Sequence, residues 1–202
     1  MRRARGTMPG GRGTEGYTLV ELMIVVVIVG VLGLLAAYGV RKYVANSKTT
    51  EARNALGQIS KDAITAFERE SMAAVVLTVG GKSKVARALC ASASQPVPST
   101  IASVTGKKYQ SNPGAGLDWN KDVSTNKGFA CLKFSIQQPQ YYEYSYSSDG
   151  DVTVPTVGTA FTAIANGDLD GNGTQSTFKV LGAVANNNLF VGPNLIESNP
   201  EE

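Results

Sequence analysis

The feature that most limits what this chain can become is the stretch from Gly13 to Val40, GTEGYTLVELMIVVVIVGVLGLLAAYGV. From Leu22 to Ala37 every residue is apolar or glycine. With Tyr17 to Val20 ahead of it, the segment reaches the roughly 20 residues that a helix needs to cross a bilayer. The Leu, Ile and Val between Leu22 and Leu35 favour insertion by about −3 to −7 kcal/mol together. One carboxylate, Glu21, stands at the edge of the run and costs at most about 3 kcal/mol on comparable scales. Insertion therefore wins, and Glu21 enters the membrane with it.

Charge adds direction. The leader carries Arg2, Arg3, Arg5 and Arg12 against Glu15, which accounts for the whole formal charge of +3, and the remainder of the 202-residue chain is balanced. The near-side arginines outnumber Arg41 and Lys42 on the far side, so the positive-inside rule keeps the N-terminus cytoplasmic. A balanced remainder offers no basic surface for phosphates, and no nucleic-acid binding is expected. Histidine is absent, which removes Ser-His-Asp, Cys-His and His-ligated metal chemistry. An enzyme would have to use carboxylates such as Asp118, Asp122, Glu143, Asp149 and Asp151. Acidic residues at loop positions are ordinarily solvated turn residues, and no enzymatic activity is expected.

Three interpretations compete for the apolar segment. A secretory signal peptide would use Ala36 and Ala37 as its cleavage site, but its apolar stretch is normally shorter and uninterrupted. A plain membrane anchor leaves Glu21 without a purpose. The third is a resemblance: GYTLVE closely resembles the prepilin signature of type IV pilins and the pseudopilins of type II secretion. In that family a short basic leader ends in Gly and is followed by an aromatic residue, Thr, Leu, any residue and Glu.

The resemblance implies cleavage between Gly16 and Tyr17 by a membrane-embedded prepilin peptidase and N-methylation of Tyr17. It makes Glu21 the fifth mature residue and the assembly residue. An isolated carboxylate in hydrocarbon is costly and much less so beside an opposite charge. The amine that cleavage frees on Tyr17 supplies that charge, and the apolar helices then pack into a helical homo-oligomeric fibre. The implied partners are the peptidase, the inner-membrane pilus assembly machinery, the membrane and further copies of the chain. The precursor would reside in the bacterial inner membrane, with its globular domain periplasmic, and then enter an extracellular fibre. Such fibres serve adhesion, twitching motility and DNA uptake. A type II secretion pseudopilin or a minor pilin is the near alternative. Two departures from the pattern are Tyr17 in place of the usual Phe, and Tyr38-Gly39 where many pilins have a helix-breaking Pro.

Beyond the membrane segment, Ala52, Ala55, Leu56, Ile59, Ala63, Ala66 and Phe67 recur at steps of three and four, the pattern of an amphipathic helix. Gly80-Gly81 is the first strong stop signal. The expected fold is α+β, a type IV pilin fold. A long helix over 17–80, transmembrane over 17–40, follows the 1–16 leader and packs on a small antiparallel sheet. A connecting loop over 81–128 includes a short helix at Val85 to Cys90, and the sheet and tail occupy 129–202.

FACLKFSI is expected as a strand with Ala130, Leu132, Phe134 and Ile136 inward and Cys131 outward. YYEYSYSSDGDVTV should form two strands about an Asp149-Gly150 turn, and FTAIANGDLDGNGTQSTFKVLG a hairpin with a longer loop. The segment from Asn186 to Glu202 shows little strand pattern.

Cys90 and Cys131 are the only cysteines. In a chain sent across a membrane they are expected to form a disulfide, against the alternative of two reduced thiols. Asp168, Asp170 and Asn172, followed by Gly173, match the first half of a calcium loop, but Lys179 stands where the bidentate Glu belongs. No cofactor is expected apart from calcium held loosely by those three residues. A membrane-anchored, calcium-dependent binding domain is accordingly the alternative of another class, against the reading of a Gly- and Asp-rich turn.

Overall fold

A computed structural model describes residues 16–69, 71–72, 85–149 and 160–200. The leader before Gly16, the Gly80-Gly81 stop, and the turn and strand expected from Gly150 onward lie outside the described residues. The chain divides into two compact units, Met1–Arg41 and Lys42–Glu202.

Helix α1 runs Leu19–Glu68. In the first unit its Leu, Ile and Val side chains are all exposed, as expected of a segment whose apolar surface awaits lipid or other helices. It continues as helix through Gly30, Gly33 and Gly39.

In the second unit the same helix becomes one wall of a core. Thr49, Ala52, Ala55, Leu56, Ile59, Ser60, Ala63, Ala66 and Phe67 are buried, and their spacing places them along one stripe of the cylinder. Four alanines in this stripe, together with Leu56, Ile59 and Phe67, belong to the buried core. The helix ends at Glu68, earlier than the expected boundary at residue 80. Its amphipathic spacing stops at Phe67, and Ser71–Met72 (β1) pairs antiparallel with Val85–Ala86 (β2).

The main sheet is antiparallel throughout. Its order is β3 (Glu143–Ser148), β4 (Ala160–Gly167), β5 (Ser176–Ala185) and β6 (Asn188–Val191), with β7 (Ile196–Ser198) on the same side of β5 as β6. Burial alternates along β4 and β5, so one face meets the core. Across that face large side chains sit beside small ones: Tyr144 is opposite Ala165, which is opposite Phe178, and Tyr146 is opposite Ala163, then Val180. Phe161 lies directly over Gly182, where an added Cβ would approach its ring to 2.1 Å. Tyr142 and Tyr144 are fully buried.

Two sequence expectations need correction. FACLKFSI is not a strand; it forms a short helix α2 (Gly128–Leu132) that ends at Lys133 in the left-handed conformation, φ 63°. Phe129 and Leu132, three residues apart, point into the core, and Phe134 follows after the turn. A short apolar run does not separate helix from strand by its pattern alone. The proposed helix at Val85 to Cys90 is instead the β2 ladder followed by irregular backbone, too short a stretch to sustain a helix unaided.

The tail, for its part, forms strands despite its weak strand pattern. Asn186 and Asn187 have φ of 50° and 60°, the signature of the two-residue type I′ turn. They reverse the chain so that Ala185 faces Asn188, and β7 then pairs Thr177 with Ser198.

The connecting region covers the free edge of β3. Val97 N–H donates to Tyr144 O at 2.9 Å, and Tyr144 N–H returns to Val97 O at 2.8 Å. Such coverage removes an edge open to foreign pairing. The loop is stapled to α2 by the Cys90–Cys131 disulfide, with Cα atoms 5.7 Å apart.

Two polar ties join α1 to the globular part. Glu51 Oε1 accepts from Tyr141 N–H at 2.9 Å and from the Tyr144 hydroxyl at 3.1 Å. Burial raises the Glu51 pKa, against the lowering effect of these donors and of Lys108. Arg53 meets Glu197 on β7 in a two-pronged pair at 2.8 and 2.9 Å.

Candidate functional site

The site is the start of α1. Tyr17 and Thr18 lie just ahead of the helix, and Glu21 occupies its first turn. One Glu21 oxygen, Oε2, accepts from Thr18 N–H at 2.7 Å and from the Thr18 hydroxyl at 2.9 Å. Glu21 N–H donates in turn to the Thr18 hydroxyl at 3.3 Å. This is a capping box, in which a Thr and a Glu three residues on satisfy main-chain donors that the first helical turn leaves unpaired. The sequence signal was T-x-x-E, lying inside the stretch already singled out for its apolar run.

Glu21 holds its own helix start and is exposed to solvent in the single chain. Negative charge in the first turn also complements the positive end of the helix dipole. Beyond Glu21 no charged side chain occurs until Arg41, and α1 is long and apolar enough to cross a membrane.

The comparisons with known proteins bear on this same stretch. The family model of the prokaryotic N-terminal methylation motif matches residues 11–37. The type IV major alpha-pilin of Moraxella bovis is 33% identical over 155 residues, covering 68% of this chain and 96% of that pilin. The chain belongs to the type IV pilin family. The fimbrial protein EcpC of Eikenella corrodens is 36% identical over 76 residues, 34% of this pilin; the chain spans about half of that relative, 49%. No solved structure matches the chain. The long helix followed by a small antiparallel sheet is the pilin architecture expected from the sequence.

The remaining candidate residues are separated from the helix start. Cys90 and Cys131 form the pilin's disulfide. Asp168, Asp170 and Asn172 lie in the β4–β5 loop. Asp168, only 2% exposed, accepts from Gly171 N–H at 2.8 Å with one oxygen and from Gly173 N–H at 3.1 Å with the other. Asp170 accepts from Asn172 N–H at 3.1 Å and from the Asn172 side-chain amide at 2.9 Å. The loop's carboxylates thus close on its own backbone. Among the described residues no group of three or more His, Cys, Asp or Glu is placed to hold a metal ion.

Two of the carboxylates considered for catalysis, Asp118 and Asp122, serve in turns as well. Asp118 accepts from the Tyr109 hydroxyl at 2.7 Å and from Asn112 N–H at 2.6 Å, and Asp122 accepts from Ser94 N–H at 2.9 Å.

Proposed function

We propose that this pilin is made as a membrane-inserted precursor, cut between Gly16 and Tyr17, N-methylated on Tyr17, and polymerised through its apolar helix into a surface fibre. Hydrolysis of the Gly16–Tyr17 bond consumes water, leaves a carboxylate on the departing leader and frees the Tyr17 amine. The leader takes with it the four arginines that hold the N-terminus at the cytoplasmic face.

The observation that carries this reading is the capped Glu21 at the head of an exposed apolar helix. In hydrocarbon an ionised carboxylate gains from a nearby ammonium far more than in water, because the low dielectric strengthens the attraction and removes the competing hydration. The Tyr17 amine of the same or a neighbouring chain meets that need. Docking one turn out of register leaves the charge unpaired, so Glu21 both favours docking and penalises misplacement.

The prepilin peptidase and the inner-membrane assembly machinery are the partners this reading requires. Adhesion, twitching motility and DNA uptake are the roles it assigns to the fibre. Deleting the gene tests the fibre role: loss of long surface fibres supports a major pilin, while fibres that persist point to a minor pilin or a secretion pseudopilin. The processing itself is tested at the N-terminus of the mature chain.

A further inference from the structure

The two faces of the main sheet differ in character. Tyr144, Phe161 and Phe178 point into the core shared with α1 and are buried, so the alternate positions of β3, β4 and β5 point the other way. On this outward face Leu181, Phe190 and Ile196 are 43%, 56% and 53% exposed. Register makes them neighbours. Phe190 lies beside Ala183 and Ile196 beside Lys179, with Leu181 between those two positions on β5. Ile164 flanks Lys179 from β4. The solvated face of an antiparallel sheet normally carries polar side chains at such positions, and a contiguous exposed apolar patch marks a surface that meets a partner.

The charges on the face say which partner. Within the strands the outward positions hold two charged side chains, Glu143 on β3 and Lys179 on β5. They stand two strands apart across the sheet and two residues apart along it, a separation of about 12 Å between Cα atoms. Glu143 is hydrogen-bonded to Asn166, and Lys179 forms no ion pair among the described residues. Ile164 lies between them, since it pairs with Lys179 and is two residues from Asn166, the partner of Glu143. A face with one acid and one base on either side of an apolar residue complements itself. A copy turned over onto it sets each Lys179 against the other chain's Glu143, so a single arrangement forms both pairs, as a two-fold interface requires. A face of one sign would repel its own copy.

We propose that two copies of this chain dock through their outward sheet faces, with Lys179 of each chain paired to Glu143 of the other and the patch of Leu181, Phe190 and Ile196 covered. The contact uses the globular unit and stands independently of the assembly role of Glu21.

The test is sedimentation velocity of the full-length protein in detergent over about 10–100 μM. The wild type is expected to form a concentration-dependent dimer. Lys179→Glu and Glu143→Lys each bring like charges together and should weaken that dimer at least tenfold. Mixing the two variants restores both opposite-charge pairs and should restore the dimer. A monomeric wild type, a dimer indifferent to both reversals, or a mixture no tighter than either variant alone would overturn the proposal. If a variant fails to fold, carbodiimide coupling of isotopically labelled and unlabelled wild-type chains decides. Glu143 must be found joined to Lys179 in mixed pairs, and links confined to single chains would overturn the proposal.

Discussion

The main-chain N–H and the hydroxyl of Thr18 converge on a single oxygen of Glu21, at 2.7 and 2.9 Å. The residue proposed to draw subunits together is thus already engaged in starting its own helix. The two roles are separable, because glutamine keeps the capping geometry and lacks the charge.

Glu21→Gln is accordingly expected to leave the helix start intact and, like Glu21→Ala, is expected to keep the chain out of fibres. Capping-box losses cost only about 1 kcal/mol, too little to unfold a helix anchored by lipid. Sheared-fibre and membrane fractions, compared by immunoblot, should show both variants in the membrane alone. Normal incorporation of Glu21→Gln would reduce Glu21 to a helix cap.

The Cys90–Cys131 bridge ties the connecting loop to α2 across a sequence separation of 41. On the chain-entropy model, opening a loop of that length costs roughly 4 kcal/mol, a large part of the stability of an ordinary domain. The Cys90→Ser, Cys131→Ser double variant is expected to lose up to about that amount in urea unfolding followed by circular dichroism. A loss below about 1 kcal/mol would mean that packing alone holds the loop.

Much of this was legible in the sequence, and the failures share a cause. The hairpin expected over FTAIANGDLDGNGTQSTFKVLG is β4 and β5, and three-four spacing exposed the buried stripe of α1, because one face of that helix meets the core. FACLKFSI was misjudged because a single turn of helix, ended by a left-handed Lys133, reads as alternation over so few residues. The strands after Asn186 are short and carry little strand pattern, and Asn186-Asn187 is the hairpin turn itself. The Glu21 cap was present as T-x-x-E, overshadowed by the apolar run around it.

Glu51 gives the domain a pH dependence of known sign. Burial raises its folded pKa above the ordinary value of 4.5, so its contribution is fully present below that value and is lost as pH rises through the folded pKa. Glu51→Gln, which still accepts from Tyr141 N–H and the Tyr144 hydroxyl, should flatten the part of the stability-pH curve just above pH 4.5. Thermal melts of both proteins between acidic and neutral pH check this. Parallel curves would show that Glu51 does not titrate differently on folding.

The β4–β5 loop is expected to behave as a self-closed turn. Asp168→Ala leaves the Gly171 and Gly173 N–H groups without their acceptor and should destabilise by about 1–3 kcal/mol. Added calcium should leave the wild-type melting temperature unchanged, whereas a calcium site would stabilise the folded state in proportion to ligand occupancy. A rise in melting temperature with calcium that disappears in Asp168→Ala would establish the metal site instead.

The central claim concerns the first residue of the mature chain. Mass spectrometry of the N-terminal peptide from sheared fibres should find it beginning at Tyr17 and heavier by one methyl group. A peptide that begins at Met1, or just after Ala37, would contradict prepilin processing and with it the assembly role given to Glu21.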